Sequence, residues 1–288
     1  MAFRTVVVTK HCKINFKMNL VILTTNEDTF QIPIADIDVL LIETTQAYIS
    51  AYVIMELLKQ NVKIIFSDNH GLPIGEINAY GGNSSRNSNI RAQTNWENKS
   101  KNGLWQQVMI NKITNQSHLL AEFEKDNQGL LKLIDEVEIG DQTNREAVAA
   151  RMYFSRLFGD GFVRRADDEI NAKLNYGYQI LLSAVAREIR ANGLLTEIGI
   201  HHDNAKNEYN LASDLMEPFR PLVDRVVKLH ETEEFDLEMK LALVDVLNMS
   251  VRVNGHEAIL TSAISEICRQ AFDYLNGVSK LPSWQVEV

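Results

Sequence analysis

Two adjacent histidines, His201 and His202, lie in a polar stretch that precedes a helical segment carrying Asp214, Glu217 and Arg220 at three-residue spacing. That spacing sets the three on one row of a helix, and Pro218 and Pro221 stiffen its first turns. A loop imidazole facing a carboxylate near a helix start commonly holds a hard divalent cation over a polyanionic substrate. A second helix start, within Asp141–Phe154, carries Glu146 one turn in, with Arg145 beside it and Arg151 further along. A carboxylate at each of two helix starts, with an imidazole between them, would suit phosphoryl transfer if all three met at one point. The same residues also have a purely structural reading. Thr143 with Glu146, and Asp214 with Glu217, each match a capping box, and such boxes need no function. Histidines in polar loops are often simply solvated.

Positioning these side chains requires a set of elements that the pattern of apolar residues outlines. Short β-branched runs at Phe3–Thr9, Cys12–Met18, Leu20–Thr24, Thr29–Ile34 and Val39–Glu43 read as strands separated by turns of Asn, Asp and Lys. Thr45–Asn61 has helical periodicity and Val62–Phe66 reads as a strand, giving a β-α-β element on an otherwise antiparallel meander. The stretch Asp68–Gly75 leaves the sheet as a loop, and Gly81–Asn89 reads as a flexible connector holding Arg86, with Arg91 just beyond. Beyond it the pattern is helical: Trp96–Lys125, Leu130–Val137, Thr143–Phe158, Asp167–Asn192, Leu215–His230, Leu237–Asn248 and Glu257–Leu275. Gly159, Gly193 and Gly277 stand where helix C-caps favour positive φ. The expected class is α+β: a small N-terminal β-rich domain over 1–78, a linker over 79–95, and a larger all-α C-terminal domain over 96–288.

The 288 residues are enough for a sizeable core, and 45% apolar with 23% charged residues describes an ordinary globular protein. No apolar run reaches the ~18 residues of a membrane span, and the N-terminus lacks a signal-peptide layout. Cys12 and Cys268 have no ligand spacing, which fits reduced thiols and a cytoplasmic location. The net charge of −9 argues against a generic nucleic-acid coat. Six of those nine charges fall within residues 231–288, however, so the remaining chain is near neutral and can still gather arginines on one surface.

Several long motifs resemble one family in unbroken order. Asn144-Arg-Glu-Ala-Val-Ala-Ala-Arg-Met-Tyr-Phe154, the helix Asp168–Leu182, Gly199-Ile-His-His202 and Ser213-Asp-Leu-Met-Glu-Pro-Phe-Arg-Pro221 are similar to the signature of CRISPR-associated protein one. Phe66–Gly75 resembles the end of that family's β domain, and the likeness covers nearly the whole chain. The last motif carries glutamate at Glu217, where many members have aspartate, which resembles the type II branch, II-A-like in form.

The resemblance implies a metal-dependent DNA integrase and endonuclease of spacer acquisition, with Glu146, His202 and Glu217 as catalytic metal ligands for Mg²⁺ or Mn²⁺. It further implies transesterification of prespacer 3′-OH ends into the CRISPR repeat, a reaction that needs no nucleotide triphosphate. The chain has no P-loop or other glycine-rich phosphate cradle, which agrees. Arg86, Arg91, Arg151, Lys173 and Arg220 are candidates for DNA backbone contacts; Arg220 has the alternative of pairing with Asp214 or Glu217. The implied partners are prespacer and repeat DNA, an asymmetric homodimer, and CRISPR-associated protein two in a heterohexamer. In type II-A systems, the effector nuclease and a ring-shaped accessory protein also take part. No membrane partner is expected. Two rival readings remain: an HD-type helical phosphohydrolase built on His202-Asp203 with His230 and Asp245, and a non-catalytic helical scaffold whose glutamates only cap helices.

Overall fold

A computed structural model describes residues 4–67, 73–77, 79 and 85–287. The chain divides into two compact units, Met1–Gly82 and Asn83–Val288. The expectations for Phe3, for residues 68–72 and for residues 81–84 lie outside the described residues.

The first unit contains β1 (Arg4–Val8), β2 (Cys12–Lys17), β3 (Leu20–Thr24), β4 (Thr29–Pro33), β5 (Ile37–Ile42), β6 (Ala47–Ile49), α1 (Ala51–Lys59), β7 (Lys63–Ser67) and β8 (Pro73–Ile77). They form two four-stranded sheets, ordered β1-β5-β7-β8 and β4-β3-β2-β6. In the first, β1, β5 and β7 run parallel and β8 closes the edge antiparallel. In the second, β2, β3 and β4 form the meander and β6 joins β2 in parallel. Two sheets therefore replace the single meander. Alternate residues such as Val6, Ile14, Val21, Leu23, Leu40 and Ile64 point into the shared core, as the two-residue period of a strand requires. The expected helix over Thr45–Asn61 begins late. Ala47–Ile49 is a strand, and the helix starts after Ser50, whose Oγ accepts from Val53 N at 3.3 Å and caps it.

The second unit contains α2 (Arg86–Thr94), α3 (Asn98–Glu122), α4 (Gln128–Asp135), α5 (Arg145–Phe158), α6 (Glu169–Ala191), α7 (Asn210–Leu215), α8 (Arg220–Leu229), α9 (Leu237–Asp245) and α10 (Leu260–Leu275). A small sheet, ordered β10 (His256–Ile259), β9 (Ser250–Val253) and β11 (Val286–Glu287), interrupts them. Its hairpin turns on Asn254 and Gly255, both at positive φ, as a primed two-residue turn demands. Residues 257–259, expected to open a helix, are part of this hairpin.

Helices α3 and α6 supply the long buried stripes: Leu104, Trp105, Val108, Ile113 and Leu120 from one, Leu174, Leu181, Val185 and Ile189 from the other. A fully buried side chain of this kind stabilises by about 1.5–3 kcal/mol, so these two helices anchor the unit. α3 also buries polar residues, Asn111, Lys112, Asn115 and Gln116 among them.

The connector expectation is corrected at α2. Gln93 is buried; its side-chain amide donates to the carbonyls of Leu195 at 2.8 Å and Ile198 at 3.1 Å and accepts from Leu195 N at 2.9 Å. The Asn89 amide donates to Asn192 O at 2.8 Å. These bonds dock α2 onto the segment leading into the paired histidines. Cys12 and Cys268 are free and buried. No described helix is long and apolar enough to cross a membrane.

Candidate active site

The single helix expected over Leu215–His230 is broken. Pro218 and Pro221 cannot donate backbone hydrogen bonds and clash with a preceding helical turn, so α7 ends at Leu215, residues Glu217–Phe219 form a 3₁₀ turn, and α8 begins at Arg220. Asn115 of α3 fixes this turn by donating to Pro218 O at 2.9 Å. The break separates the functions of Asp214 and Glu217.

Asp214, in the last turn of α7, faces the histidine loop and is fully buried. Its Oδ2 accepts from Ile200 N at 2.7 Å and His201 N at 3.1 Å; its Oδ1 accepts from His202 N at 3.1 Å and contacts His202 Nδ1 at 2.6 Å. Asp214 therefore organises the loop and forms no capping box with Glu217. The loop also requires Gly199, because a Cβ there would meet His202 O at 2.3 Å and Asp214 Oδ2 at 2.7 Å. The hydrogen bond to Asp214 raises the His202 pKa, burial opposes it, and the charges of Asp214, Glu217 and Glu146 add to the rise. With Nδ1 committed to Asp214, the other ring nitrogen is the one left to act as a ligand.

The second proposed capping box also dissolves. Asn144, not Thr143, precedes α5, in a left-handed conformation and without a side-chain cap. Asp141 does the capping: Oδ1 accepts from Arg145 N at 2.8 Å and Oδ2 from Glu146 N at 2.9 Å. The Glu146 carboxylate is thereby left available, and it accepts from Lys112 Nζ at 2.7 Å. Lys112 Nζ also stands 2.6 Å from Glu217 Oε2, and Arg220 Nε stands 3.1 Å from Glu217 Oε1.

One ammonium thus touches both proposed carboxylate ligands, with side-chain exposures of 7% for Lys112, 26% for Glu146 and 3% for Glu217. Burial works against the Lys112 charge, but Glu217 and Glu146 outweigh it and its pKa is raised. Burial likewise opposes ionisation of Glu217, and Arg220 with Lys112 reverses that, holding its pKa below the usual carboxylate value. The Lys112–Glu217 contact is chiefly an ion pair: Glu217 Oε2 is buried without a well-aligned hydrogen-bond donor.

Two features bear on a divalent cation. A carboxylate pair gathered around one positive charge, together with a buried carboxylate oxygen lacking a hydrogen bond, is a donor set that suits Mg²⁺, and the imidazole suits Mn²⁺. As they stand, no three His, Cys, Asp or Glu groups among the described residues are arranged to hold a metal. The ammonium of Lys112 lies between the two carboxylates.

The pair with Glu217 is one of the two alternatives expected for Arg220, whereas its aromatic surroundings left no signal in the sequence. Its guanidinium carbon lies 4.7 Å from the Tyr178 ring centroid, and that of Arg164 lies 5.2 Å from the same ring, cation–π distances. The Tyr178 hydroxyl donates to Asp224 Oδ1, and the Tyr153 hydroxyl donates to Oδ2 at 2.7 Å. Burial lifts the Asp224 pKa to about 6 despite these bonds. His201 stacks on buried Trp105, centroids 4.1 Å apart and planes 2° from parallel, so it is held in a packing role beside His202.

Lys173 is corrected as a DNA contact. It is fully buried, and its ammonium donates to the carbonyls of His230 at 3.0 Å, Glu231 and Glu233. These carbonyls follow the end of α8, where a cation is favoured. Arg86, Arg91 and Arg151 are exposed. The HD-type quartet does not assemble: His202 pairs with Asp214, His230 Nδ1 with Glu233 at 2.9 Å, and Asp245 with Asn248 at 2.9 Å.

Similarity to known proteins gives the chain its place. The family model for CRISPR associated protein Cas1 matches residues 5–239. The CRISPR-associated endonuclease Cas1 of Neisseria meningitidis serogroup C (strain 8013) is 31% identical over 274 residues, spanning 93% of this chain and 90% of its own. Among solved structures, a casposase bound to integration product superposes with a TM-score of 0.79 at 20% identity, covering 96% of this chain and 92% of that one. A chain of a Cas6-RT-Cas1–Cas2 complex superposes with a TM-score of 0.75 at 17% identity, covering 98% of this chain and 36% of that one. The two structural likenesses speak for the fold alone. Matched by the family model over most of its length and by a relative across nearly all of it, this chain belongs to the Cas1 family of CRISPR-associated endonucleases.

Proposed function

We propose that this chain is the DNA integrase and endonuclease of CRISPR spacer acquisition, joining prespacer 3′ ends to the CRISPR repeat. The observation that carries the reading is the meeting of Glu146 and Glu217 around one ammonium, beside a His202 whose tautomer Asp214 sets. Glu146, Glu217 and His202 would hold Mg²⁺ or Mn²⁺, which when bound supplies positive charge against the scissile phosphodiester and the departing oxygen.

The remaining roles belong to the chain. Asp214 holds His202 through its Nδ1 and keeps the loop fixed by three backbone N–H bonds. Arg220 is paired by charge with Glu217, Nε to Oε1 at 3.1 Å, and lies over the Tyr178 ring, which leaves the other guanidinium nitrogens to a phosphate. In the reaction, the 3′ oxygen of the incoming strand forms a new bond to phosphorus as the repeat's own P–O3′ bond breaks. The attacking hydroxyl loses its proton to solvent, and the departing 3′ oxygen gains one. One phosphodiester replaces another, so no triphosphate is consumed. Exposed Arg86, Arg91 and Arg151 are offered as backbone contacts for the DNA.

The partners follow from the family: prespacer and repeat DNA, a homodimer, and CRISPR-associated protein two flanked by two such dimers. Glu217 in place of aspartate favours the type II branch, with its effector nuclease and ring-shaped accessory protein. The test is an integration assay on supercoiled DNA carrying a repeat, with Mn²⁺, with and without CRISPR-associated protein two. A 3′-OH duplex is expected to join, a dideoxy-ended duplex to fail, and Glu146→Gln and Glu217→Gln to lose joining. Equal reaction of the dideoxy end, or full activity of either variant, refutes the proposal.

A further inference from the structure

We infer that Lys112 is a built-in stand-in for the divalent cation: its ammonium holds Glu146 and Glu217 together in the free protein and withdraws when a cation takes its place. The inference rests on the metal reading above and deepens it. Glu217 is almost wholly buried, and two carboxylates brought this close without a cation would repel each other and stay partly protonated. Lys112 removes that cost, at 2.7 Å from one carboxylate and 2.6 Å from the other. A divalent cation needs the same oxygen lone pairs, at about 2.0–2.2 Å for Mg²⁺. The ammonium and the cation therefore exclude each other.

Three features make the exchange feasible. Contact with Glu217 is an ion pair of poor hydrogen-bond alignment, so little directional bonding is lost there. Lysine carries its charge on a flexible four-carbon stem, which can swing while α3 stays fixed. Arg220 remains on Glu217 throughout, so that buried carboxylate is never left without a counter-charge. Lys112 is on this account a positioning residue. It presets the ligand carboxylates and lowers the affinity of the free protein for the metal, because each cation bound must first displace it.

The test measures Mn²⁺ binding to the full chain by calorimetry, without DNA. Lys112→Met, which keeps the stem and removes the charge, is expected to bind Mn²⁺ roughly tenfold tighter or more. Lys112→Arg, which keeps the charge, is expected to bind no more tightly than wild type. A second readout uses the unaltered protein and survives any folding defect of the variants. A lysine-reactive reagent, followed by peptide mass spectrometry, should modify Lys112 slowly without cation and faster at saturating Mg²⁺. Equal or weaker Mn²⁺ binding by Lys112→Met, with wild type binding, overturns the inference and leaves the metal site standing. Lys112 that stays protected at saturating Mg²⁺ overturns it as well. Binding by neither protein removes the metal reading, and this inference with it.

Discussion

Replacing Asp214 by asparagine probes the loop more sharply than removing a histidine. The carboxylate accepts from three backbone N–H groups, at 2.7, 3.1 and 3.1 Å, and contacts His202 Nδ1 at 2.6 Å. These contacts divide evenly, two to each oxygen. Asparagine keeps one oxygen and puts an NH₂ group where the other stood, so it faces either the N–H groups of Ile200 and His201 or that of His202, whose ring must then change tautomer to accept. Hydrogen bonds to a buried charge contribute about 1.5–3 kcal/mol each, and a stranded buried donor costs about 1–3 kcal/mol. With partial relaxation the loss should be on the order of 4 kcal/mol, or roughly 10 °C in melting temperature for a unit of this size. His202→Ala removes only one of the four contacts, and the ring is 41% exposed, so its loss should sit near the low end, about 1.5 kcal/mol.

The assay is thermal unfolding of wild type, Asp214→Asn and His202→Ala, repeated across pH. His202 titrates higher in the folded protein than in the unfolded chain, chiefly through its hydrogen bond with Asp214. Its contribution is complete below an unfolded pKa of about 6.5 and is lost as pH rises through the higher folded value. The gap between wild type and Asp214→Asn should narrow over that rise, leaving the pH-independent share owed to the backbone donors. An Asp214→Asn melt within about 2 °C of wild type, or no lower than that of His202→Ala, would refute the claim that Asp214 organises the loop.

Two further substitutions check residues that the site draws on less directly. Lys173→Met strips the ammonium from three carbonyls beyond α8 and should cost about 3 kcal/mol in unfolding free energy; DNA affinity, measured by anisotropy well below the melt, should not change, and a weaker grip on DNA would restore Lys173 as a contact. Asp224 has a folded pKa of about 6 against about 3.9 unfolded, so its stabilisation is present at low pH and is lost as pH rises through about 6, by up to about 3 kcal/mol. Asp224→Asn should therefore compare worse with wild type at pH 4.5 than at pH 7.5 in chemical denaturation, and a gap that stays constant or widens with pH would contradict this.

Much of the fold is local enough to be legible in the chain. β-branched runs gave the strands of the first unit, and apolar stripes gave α3, α5 and α6 to within a few residues, because periodicity reports burial directly. The errors cluster where capping or proline chemistry decides. Ser50 was readable as the N-cap that delays α1, and Asn254-Gly255 as a hairpin turn, but apolar content on either side pointed to longer helices. By spacing alone Pro218 and Pro221 read as stiffening a helix, whereas they break it. The site residues were legible as types and spacings; of their partners, only Arg220 for Glu217, three residues along, was. Lys112, Asp141, Asp214 in its actual role, Tyr178 and Asp224 reach the site from other elements. Pairing at long separation leaves no periodic trace in a sequence. The polar face of α3 was the available signal: Asn111, Lys112, Asn115 and Gln116 interrupt an apolar stripe, and a buried polar group implies a partner.

How each carboxylate is neutralised determines which of them can exchange partners. Asp214 is compensated by three backbone donors and an imidazole, all on one short loop. A cation drawn to it would have to break that loop, so Asp214 is excluded as a ligand despite being the most deeply buried acid of the group. Asp141 is likewise spent on two backbone N–H groups of α5. Glu146 and Glu217 differ in kind, since both share the side chain of Lys112, which can move without unfolding anything while Arg220 stays on Glu217. Fixed backbone donors therefore hold the scaffold acids, and a mobile side-chain cation joins the two proposed ligands. The same division separates the scaffold acids from the proposed ligands more sharply than burial does, because Asp214 and Glu217 are both buried and have different kinds of partner.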